Sequence, residues 1–294
     1  MAHASAEGQM SYEIPSYETF TISIENHIAH IQLCRPNEFN AMNVAFWREL
    51  PIAVRDIDNE AAARVIVISS QGKHFTAGMD VSVFSNPKSL NFSGDRARAA
   101  ENFRRTVLQL QDSFSALEEV RVPVLIAIQG GCIGGGVDMV AAADCRYCTE
   151  DAFFTIKETE LGMTADVGTL QRLPHIIPQG LMRELAYTGR KIFAAEAKEI
   201  GMVNKVFPDQ ESMLAGVMEI AADIAKNSPL AVIGCKEMIN YTRDHTVADS
   251  LDHMATWQSG MFSPEEMMKC FAAKAQRVAA EFEEVAPVRP PLEG

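Results

Sequence analysis

Short runs of β-branched and apolar residues that alternate with helical segments constrain this chain most strongly. A β-hairpin is predicted by the alternation of apolar and polar residues in Phe20–Ile24 and His27–Leu33. A helical pattern then begins at Asn43, with an irregularity expected at Pro51, and leads to the buried-strand run Val65–Ile68. This order of strand, strand, helix and strand favours an α/β fold.

The same arrangement returns further along the chain. A helical spacing over residues 103–117 precedes a buried strand at Pro123–Ile128, and a glycine-rich turn then leads to a helix over residues 135–143. Two more strands are predicted at Cys145–Cys148 and Phe153–Ile156. The recurrence of the unit strengthens the α/β assignment.

The pattern changes after Phe207, where almost no strand signal remains. Helices are predicted there over residues 213–226, 230–242, 247–260 and 264–282. We therefore divide the chain into a flexible tail at residues 1–16, a catalytic core at residues 17–208 and a helical region at residues 209–294. The helical region is rich in large apolar side chains: Met254, Trp257, Met261, Phe262, Met267 and Met268. They either form a core of their own or face another subunit.

The charge balance argues against two classes of partner. The chain has 26 Lys and Arg against 39 Asp and Glu, a formal net charge of −13, without a block of basic residues. A protein of this sign repels nucleic acid and anionic membranes. No signal peptide, transit peptide, peroxisomal signal or bilayer-long apolar run is recognisable, so we expect a cytoplasmic protein.

The cysteines and histidines give no sign of a metal centre. Six cysteines in a chain of this size do not make a dense disulfide framework, and we expect them to be reduced. Cys145 and Cys148 lie close together, but a zinc site needs a second pair of ligands, and the seven histidines show no metal-like spacing. The sequence therefore predicts neither a metal nor a separate cofactor.

A glycine cluster at Gly130–Asp138 follows a strand and opens a helix. Glycines there let the backbone approach a ligand, and the N–H groups at a helix N-terminus favour developing negative charge. The cluster matches neither the dinucleotide-binding pattern nor a Walker loop. Glycines that merely allow tight packing of helix and strand are the alternative interpretation.

A second turn, Lys73–Asp80, also follows a predicted strand and has small residues before Asp80. Two such turns supply two backbone N–H donors, which is what an oxyanion hole requires.

Three acids stand among apolar and small residues: Asp138, Glu158 and Asp166. Because burying an unpaired charge is costly, such carboxyl groups tend to have a raised pKa and to carry protons. For Asp138, the alternative interpretation is that it caps a helix N-terminus or interacts favourably with the helix dipole. No Gly-x-Ser-x-Gly or His-Glu-x-x-His motif competes with this carboxyl chemistry.

Together these segments resemble the enoyl-CoA hydratase/isomerase (crotonase) superfamily. The resemblance rests on Arg35–Met42, Phe75–Asp80, Ile133–Asp138, Gly168–Pro174 and Thr188–Val203, and it covers roughly residues 18–275. It implies a spiral of strand–strand–helix repeats followed by a C-terminal α-helical trimerisation region, with self-association as a trimer or hexamer.

Within the superfamily, four features are similar to the 3,5-dienoyl-CoA to 2,4-dienoyl-CoA isomerases: Asp138, Lys157–Glu158, Ala165–Pro174 and Tyr241–Leu251. The resemblance implies an isomerase of unsaturated fatty acid β-oxidation that works through a dienolate. It assigns Glu158 to the α-carbon and Asp166 to the ε-carbon, with Asp138 ordering the site. The N–H groups of Met79 and Gly135 would hold the thioester oxygen.

The resemblance also implies an acyl-CoA substrate, with coenzyme A as part of the substrate. Its binding residues would be Arg35, Ala41, Thr76, Ala77, Gly78, Asp80, Gly134 and Gly136. One alternative is an enoyl-CoA hydratase, which has no need of an acid at the distal carbon. Another is a non-catalytic acyl-CoA-binding relative, against which the three retained acids argue.

Overall fold

The computed structural model describes residues 12–85 and 94–289. Its strands are β1 (Phe20–Glu25), β2 (Ile28–Leu33), β3 (Val65–Ser70), β4 (Val124–Ile128), β5 (Gly131–Ile133), β6 (Cys145–Thr149), β7 (Phe153–Thr155), β8 (Ile192–Phe193) and β9 (Lys205–Phe207). Its α-helices are α1 (Val44–Asn59), α2 (Val81–Ser85), α3 (Arg96–Glu119), α4 (Gly135–Ala141), α5 (Thr169–Arg172), α6 (Gln179–Thr188), α7 (Ala194–Glu199), α8 (Gln210–Ala225), α9 (Pro229–Asp244), α10 (Val247–Met261) and α11 (Pro264–Gln276). Single 3₁₀ turns lie at Pro36–Glu38, Glu158–Leu161 and Leu173–His175. Of the predicted tail, residues 1–11 lie outside the described ranges.

Six strands form the main sheet in the order β1-β2-β3-β4-β6-β9, and β5-β7-β8 form a smaller one. The predicted hairpin is confirmed, since β1 and β2 pair antiparallel from Phe20 opposite Leu33 to Glu25 opposite Ile28. The other neighbours in the main sheet are parallel. Parallel pairs need long crossovers, and helices supply them here. The α/β fold is therefore the predicted one.

Helix α1 shows how a proline is accommodated inside a helix. Asn43 caps its N-terminus by accepting a hydrogen bond from Phe46 N at 2.9 Å. Pro51 lies in the interior without breaking the helix, although proline lacks the N–H that would reach the carbonyl four residues earlier. The Ser113 hydroxyl on α3 donates to that carbonyl, Trp47 O, at 2.8 Å. A side chain 66 positions away thus replaces the missing donor.

The helices after residue 208 differ in what they bury. Helix α8 packs Met213, Val217 and Ala221 against the main sheet, whereas α10 and α11 have no buried residue. Helix α11 ends at Gln276, short of the predicted end at 282, because Arg277 adopts a left-handed conformation with φ 58°. The domain boundary near residue 208 remains a prediction.

Helix α9 is fastened to the core by a buried cation. The Lys236 ammonium donates to Leu117 O at 2.9 Å and to Val122 O at 3.0 Å, and it pairs with Asp144 at 2.9 Å. These contacts tie α9 to the end of α3, to the loop between α3 and β4, and to Asp144 just before β6. Among the helices in the described ranges, none has the length and apolarity needed to cross a membrane.

Candidate active site

The two turns singled out in the sequence touch each other. Gly78 has φ +83°, and a Cβ at this position would lie 2.5 Å from Ile133 O, so glycine alone allows the contact. A short parallel bridge fixes the first turn, because Met42 N donates to Gly78 O at 2.8 Å and Asp80 N donates to Met42 O at 3.1 Å. This bridge leaves the N–H of Met79 without an acceptor among the described residues.

The second turn presents its own donor at the start of α4. Gly134 N donates to Thr155 O at 2.9 Å, whereas Gly135 N, the first of the helix, has no acceptor in the described ranges. The Cβ position of Gly135 lies 3.8 Å from Met79 N. The two N–H groups that the sequence nominates as an oxyanion hole are therefore neighbours, and one of them is at a helix N-terminus, where negative charge is favoured.

These donors open onto a largely apolar cavity of about 480 Å³. Its lining residues are Trp47, Ala77, Gly78, Met79, Phe103, Val107, Leu110, Ile133, Gly134, Gly135, Asp138, Lys157, Glu158, Leu161, Met163, Thr164, Asp166 and Val167. All three predicted acids are among them. A cavity with apolar walls and a few polar groups suits a small-molecule ligand with a hydrocarbon part.

Asp138 is the most deeply placed of the acids, with 1% of its surface exposed. Burial raises the pKa of its carboxyl to about 6. Its Oδ1 accepts a hydrogen bond from Thr169 N at 2.6 Å. Asp138 thus lines the cavity and also binds the first N–H of α5, and its part in proton transfer remains a prediction.

Glu158 begins the 3₁₀ turn after β7. Burial is the main cause, and the nearby Asp138 charge a second one, of a pKa raised to about 7. Its Oε2 is buried without a hydrogen-bond partner in the part of the chain that the structure describes. A Cβ on Gly134 would lie 3.1 Å from Glu158 Oε1, which places this carboxyl beside the N-terminus of α4. The Glu158 carboxyl lines the cavity, has one oxygen without a hydrogen-bond partner and has a pKa near neutrality, which suits it to proton transfer.

Asp166 lies on the loop between the 3₁₀ turn and α5. The residue is exposed overall, yet its carboxyl lines the cavity, and partial burial there raises its pKa. Its main-chain carbonyl accepts a hydrogen bond from Gln111 Nε2 at 2.7 Å.

Five of the eight predicted CoA-binding residues, all of them in the two turns, fall into two groups. Ala77, Gly78 and Gly134 line the cavity. Thr76 and Gly136 instead lie behind the turns, where the Thr76 hydroxyl donates to Asn40 O at 2.7 Å and a Cβ on Gly136 would be 2.5 Å from Thr76 Cγ2. Their burial favours a packing role.

Two further residues predicted to contact CoA lie on the approach to the turns. Arg35 donates to Ala41 O at 2.9 Å. Asp80 accepts from Ser82 N at 2.8 Å, and its hydrogen bonds to Ser82 lower the pKa of its carboxyl. Direct contact of these residues with CoA remains a prediction.

Sequence reasoning missed the apolar wall of the cavity, formed by Phe103, Val107 and Leu110 on α3 and by Leu161 and Met163. Leu161 is 62% exposed and Met163 38% exposed, which is unusual for large apolar side chains beside a cavity. The helical spacing of α3 was visible, but spacing does not tell which apolar face meets the core and which meets a ligand. Within the described residues, no cluster of His, Cys, Asp or Glu is placed to hold a metal ion.

Comparison with known proteins agrees with this geometry. Residues 23–285 match the family model described as enoyl-CoA hydratase/isomerase. The mitochondrial Delta(3,5)-Delta(2,4)-dienoyl-CoA isomerase of Pongo abelii is 44% identical over 94% of this chain and 85% of its own length. The peroxisomal enzyme of the same name from Arabidopsis thaliana is 40% identical over 89% and 96%. The crystal structure of an enoyl-CoA hydratase from Bacillus anthracis superposes with a TM-score of 0.80 at 28% identity, covering 92% of this chain and all of that one. The chain belongs to the enoyl-CoA hydratase/isomerase (crotonase) family.

Proposed function

We propose that the protein converts 3,5-dienoyl-CoA thioesters to their 2,4-dienoyl isomers. The observation that carries the proposal is the placement of Glu158 and Asp166 in one apolar cavity beside the N–H groups of Met79 and Gly135. The isomerase names of the relatives that align over most of the chain support the same reaction.

The reaction divides into two proton transfers. Glu158 takes a proton from the α-carbon, and the electron pair of that C–H bond spreads over an extended dienolate whose charge reaches the thioester oxygen. The N–H groups of Met79 and Gly135 stabilise that oxygen, and one such donor is commonly worth about 10²–10³ in rate. Asp166 then gives a proton to the ε-carbon. Atoms balance without water or an oxidant, and solvent exchange at the two carboxyls resets their protons.

The raised pKa values of the carboxyls suit this cycle. An ordinary carboxyl is fully ionised at neutral pH and therefore has no proton to give. Burial together with the neighbouring negative charges keeps a proton within the group formed by Asp138, Glu158 and Asp166. Because these groups interact, that proton belongs to the set rather than to one residue. Asp138 adds to the local negative charge and holds α5 through Thr169 N.

A hydratase is the second candidate, favoured by the superposition on a solved enoyl-CoA hydratase. Hydration of a 2-enoyl thioester takes place at the α- and β-carbons and gives Asp166 no proton to transfer. The presence of its carboxyl in the cavity therefore favours the isomerase.

We also propose that the chain self-associates as a trimer or hexamer and acts in the cytoplasm. The exposed apolar side chains of α10 and α11, including Leu251, Met261 and Phe271, support self-association. The isomerase relatives carry mitochondrial and peroxisomal names, so fractionation of the source cells is the test of location.

Two amide substitutions test the assigned chemistry. Glu158→Gln should abolish both isomerisation and exchange of the α-proton in heavy water. Asp166→Asn should abolish isomerisation but retain α-proton exchange, because the base and both oxyanion donors remain. Mass spectrometry of the recovered substrate measures the exchange, and ultraviolet absorbance measures the conjugated product.

Asp223→Asn is the matched control, because Asp223 is an exposed carboxyl that pairs with Lys226 and is not among the residues that line the substrate cavity. Its activity should equal that of the unmodified protein. Full isomerase activity in Asp166→Asn would overturn the role assigned to Asp166. Hydration of 2-enoyl-CoA without dienoyl isomerisation would overturn the proposal in favour of a hydratase.

A further inference from the structure

The loop that carries Asp166 is fixed by side chains from other elements. Residues 164–166 have no regular secondary structure, so their position depends on tertiary contacts. Gln111 on α3 donates to Asp166 O at 2.7 Å, and Arg172 on α5 donates to Val167 O at 3.3 Å. The Arg172 side chain is largely buried, with 12% of it exposed.

Arg172 is itself held by two side chains of α3. Its Nε lies 2.8 Å and its Nη2 lies 2.7 Å from Glu118 Oε2, and its Nη2 donates to Ser115 Oγ at 3.0 Å. The Glu118 side chain is 18% exposed. A planar guanidinium that makes several bonds in a partly buried place has little freedom to reorient. Arg172 therefore transmits the position of α3 to the loop.

Gly168 shows that the fit between the loop and Arg172 is tight. Its φ of +138° is a conformation that other residues rarely adopt, and a Cβ here would overlap the guanidinium of Arg172. The loop backbone thus lies directly on the guanidinium between Asp166 and α5.

The second oxygen of Glu118 pairs with Arg243 near the end of α9. Arg243 forms ion pairs with Glu118 and Asp244, and within the described residues it makes no hydrogen bond to the Asp166 loop. A cavity of about 310 Å³ on this side of the loop is lined by Glu118, Arg172 and Arg243. It is separate from the substrate cavity, whose lining does not include Arg172.

We propose that Arg172 is a positioning residue that holds Asp166 at the distal end of the substrate cavity, an inference that rests on the proposed isomerase function. Arg172 touches the loop carbonyl at Val167 and lies outside the reacting cavity. Its guanidinium pairs with Glu118, and its positive charge also lowers the pKa of Asp138 as a minor cause, whereas it is not among the causes that shift the pKa of Glu158. It therefore serves the step that uses Asp166 and leaves the first proton transfer at Glu158 alone.

Arg172→Met tests this separation, with Arg172→Lys as a second variant that keeps the positive charge near Glu118. A misplacement on the order of 1 Å can cost about 10² in rate. We expect Arg172→Met to lower kcat for isomerisation by about that factor while α-proton exchange and KM stay near those of the unmodified protein. Arg172→Lys should recover part of kcat. Arg243→Met, which removes a charge from the same glutamate without touching the loop, should keep full activity.

The outcomes separate the possible failures. If the unmodified protein does not isomerise dienoyl-CoA, the proposed function fails, whatever the variants do. If it does, an equal loss of exchange and isomerisation in both folded variants shows that Arg172 supports the whole site, and overturns the inference. An unchanged kcat for isomerisation with a raised KM in either variant would overturn it as well, because the loss would then lie in substrate binding. Should Arg172→Met be insoluble, the ratio of exchange to isomerisation in Arg172→Lys still decides.

Discussion

The titration of Glu158 can be isolated by removing its catalytic partner. In the Asp166→Asn variant, α-proton exchange requires Glu158 to be ionised, so its rate should follow the ionisation of Glu158 in the presence of Asp138 alone. In the unmodified protein, burial, the charge of Asp138 and, as a smaller cause, the charge of Asp166 raise the pKa of Glu158 from an ordinary 4.5 to about 7. The variant lacks the Asp166 charge, so exchange should be fully active above pH 7 and fall about tenfold for each pH unit below a pKa that lies between the ordinary value and that of the unmodified protein.

The two largest causes of that raised pKa predict a further shift. Asp138→Asn in the same variant removes a like charge but leaves the burial, and burial is the larger cause. The acid limb should then move to lower pH without reaching the ordinary value of a glutamate. The amide that replaces the Asp138 carboxyl still offers an oxygen to Thr169 N, so the packing of α4 on α5 is preserved.

The assay is the rate of deuterium incorporation at the α-carbon between about pH 5 and pH 8.5, measured under kcat/KM conditions so that the free enzyme is reported. Asp223→Asn added to Asp166→Asn should leave the limb where it is. An acid limb near the ordinary glutamate value, or one that Asp138→Asn moves to higher pH, would refute the electrostatic account of the site.

Three other results are expected. Because a raised carboxyl pKa means that ionisation opposes folding, Glu158→Gln should stabilise the protein at pH 8 by on the order of 1–3 kcal/mol, and the gain should vanish near pH 4.5, as followed by thermal or urea unfolding. Gly78→Ala should lower kcat for isomerisation by at least about 10², since its Cβ would lie 2.5 Å from Ile133 O and displace the Met79 donor; unchanged kcat would contradict the assigned oxyanion hole. Light scattering at micromolar concentration should give a trimer or hexamer, and a monomer would contradict the role given to α10 and α11.

Features of the fold that depend on residues close together in the sequence were predictable from it. The hairpin follows from alternation around a short turn, and the start of α1 follows from Asn43 before a helical run. Pro51 was expected to disturb that helix, but its tolerance depends on Ser113, which only the folded chain brings to Trp47 O. The end of α11 was also missed, because Arg277 adopts its left-handed conformation without the glycine that usually signals it.

The candidate site likewise has parts that the sequence predicts and parts that depend on contacts between distant residues. Asp138, Glu158 and Asp166 could be nominated because carboxyls among apolar residues are rare, and the structure brings all three to one cavity. The part played by Arg172 could not be inferred, since it depends on an ion pair with Glu118, 54 positions earlier in the chain. The sequence also could not show that Phe103 faces a cavity, because the spacing of apolar residues in a helix is the same whether they face the core or a ligand.

The donors at positions 79 and 135 belong to the peptide backbone, and this has a consequence for how the protein can change. Every amino acid except proline carries the same N–H, so ordinary substitutions at these two positions do not delete the donors. The carboxyl groups, in contrast, are each lost or gained by a single replacement. Under the proposed mechanism, activation of the thioester therefore depends on the fold itself, while the bond that reacts is set by a few replaceable side chains. Substitutions among those side chains can then change the reaction without removing the groups that polarise the substrate.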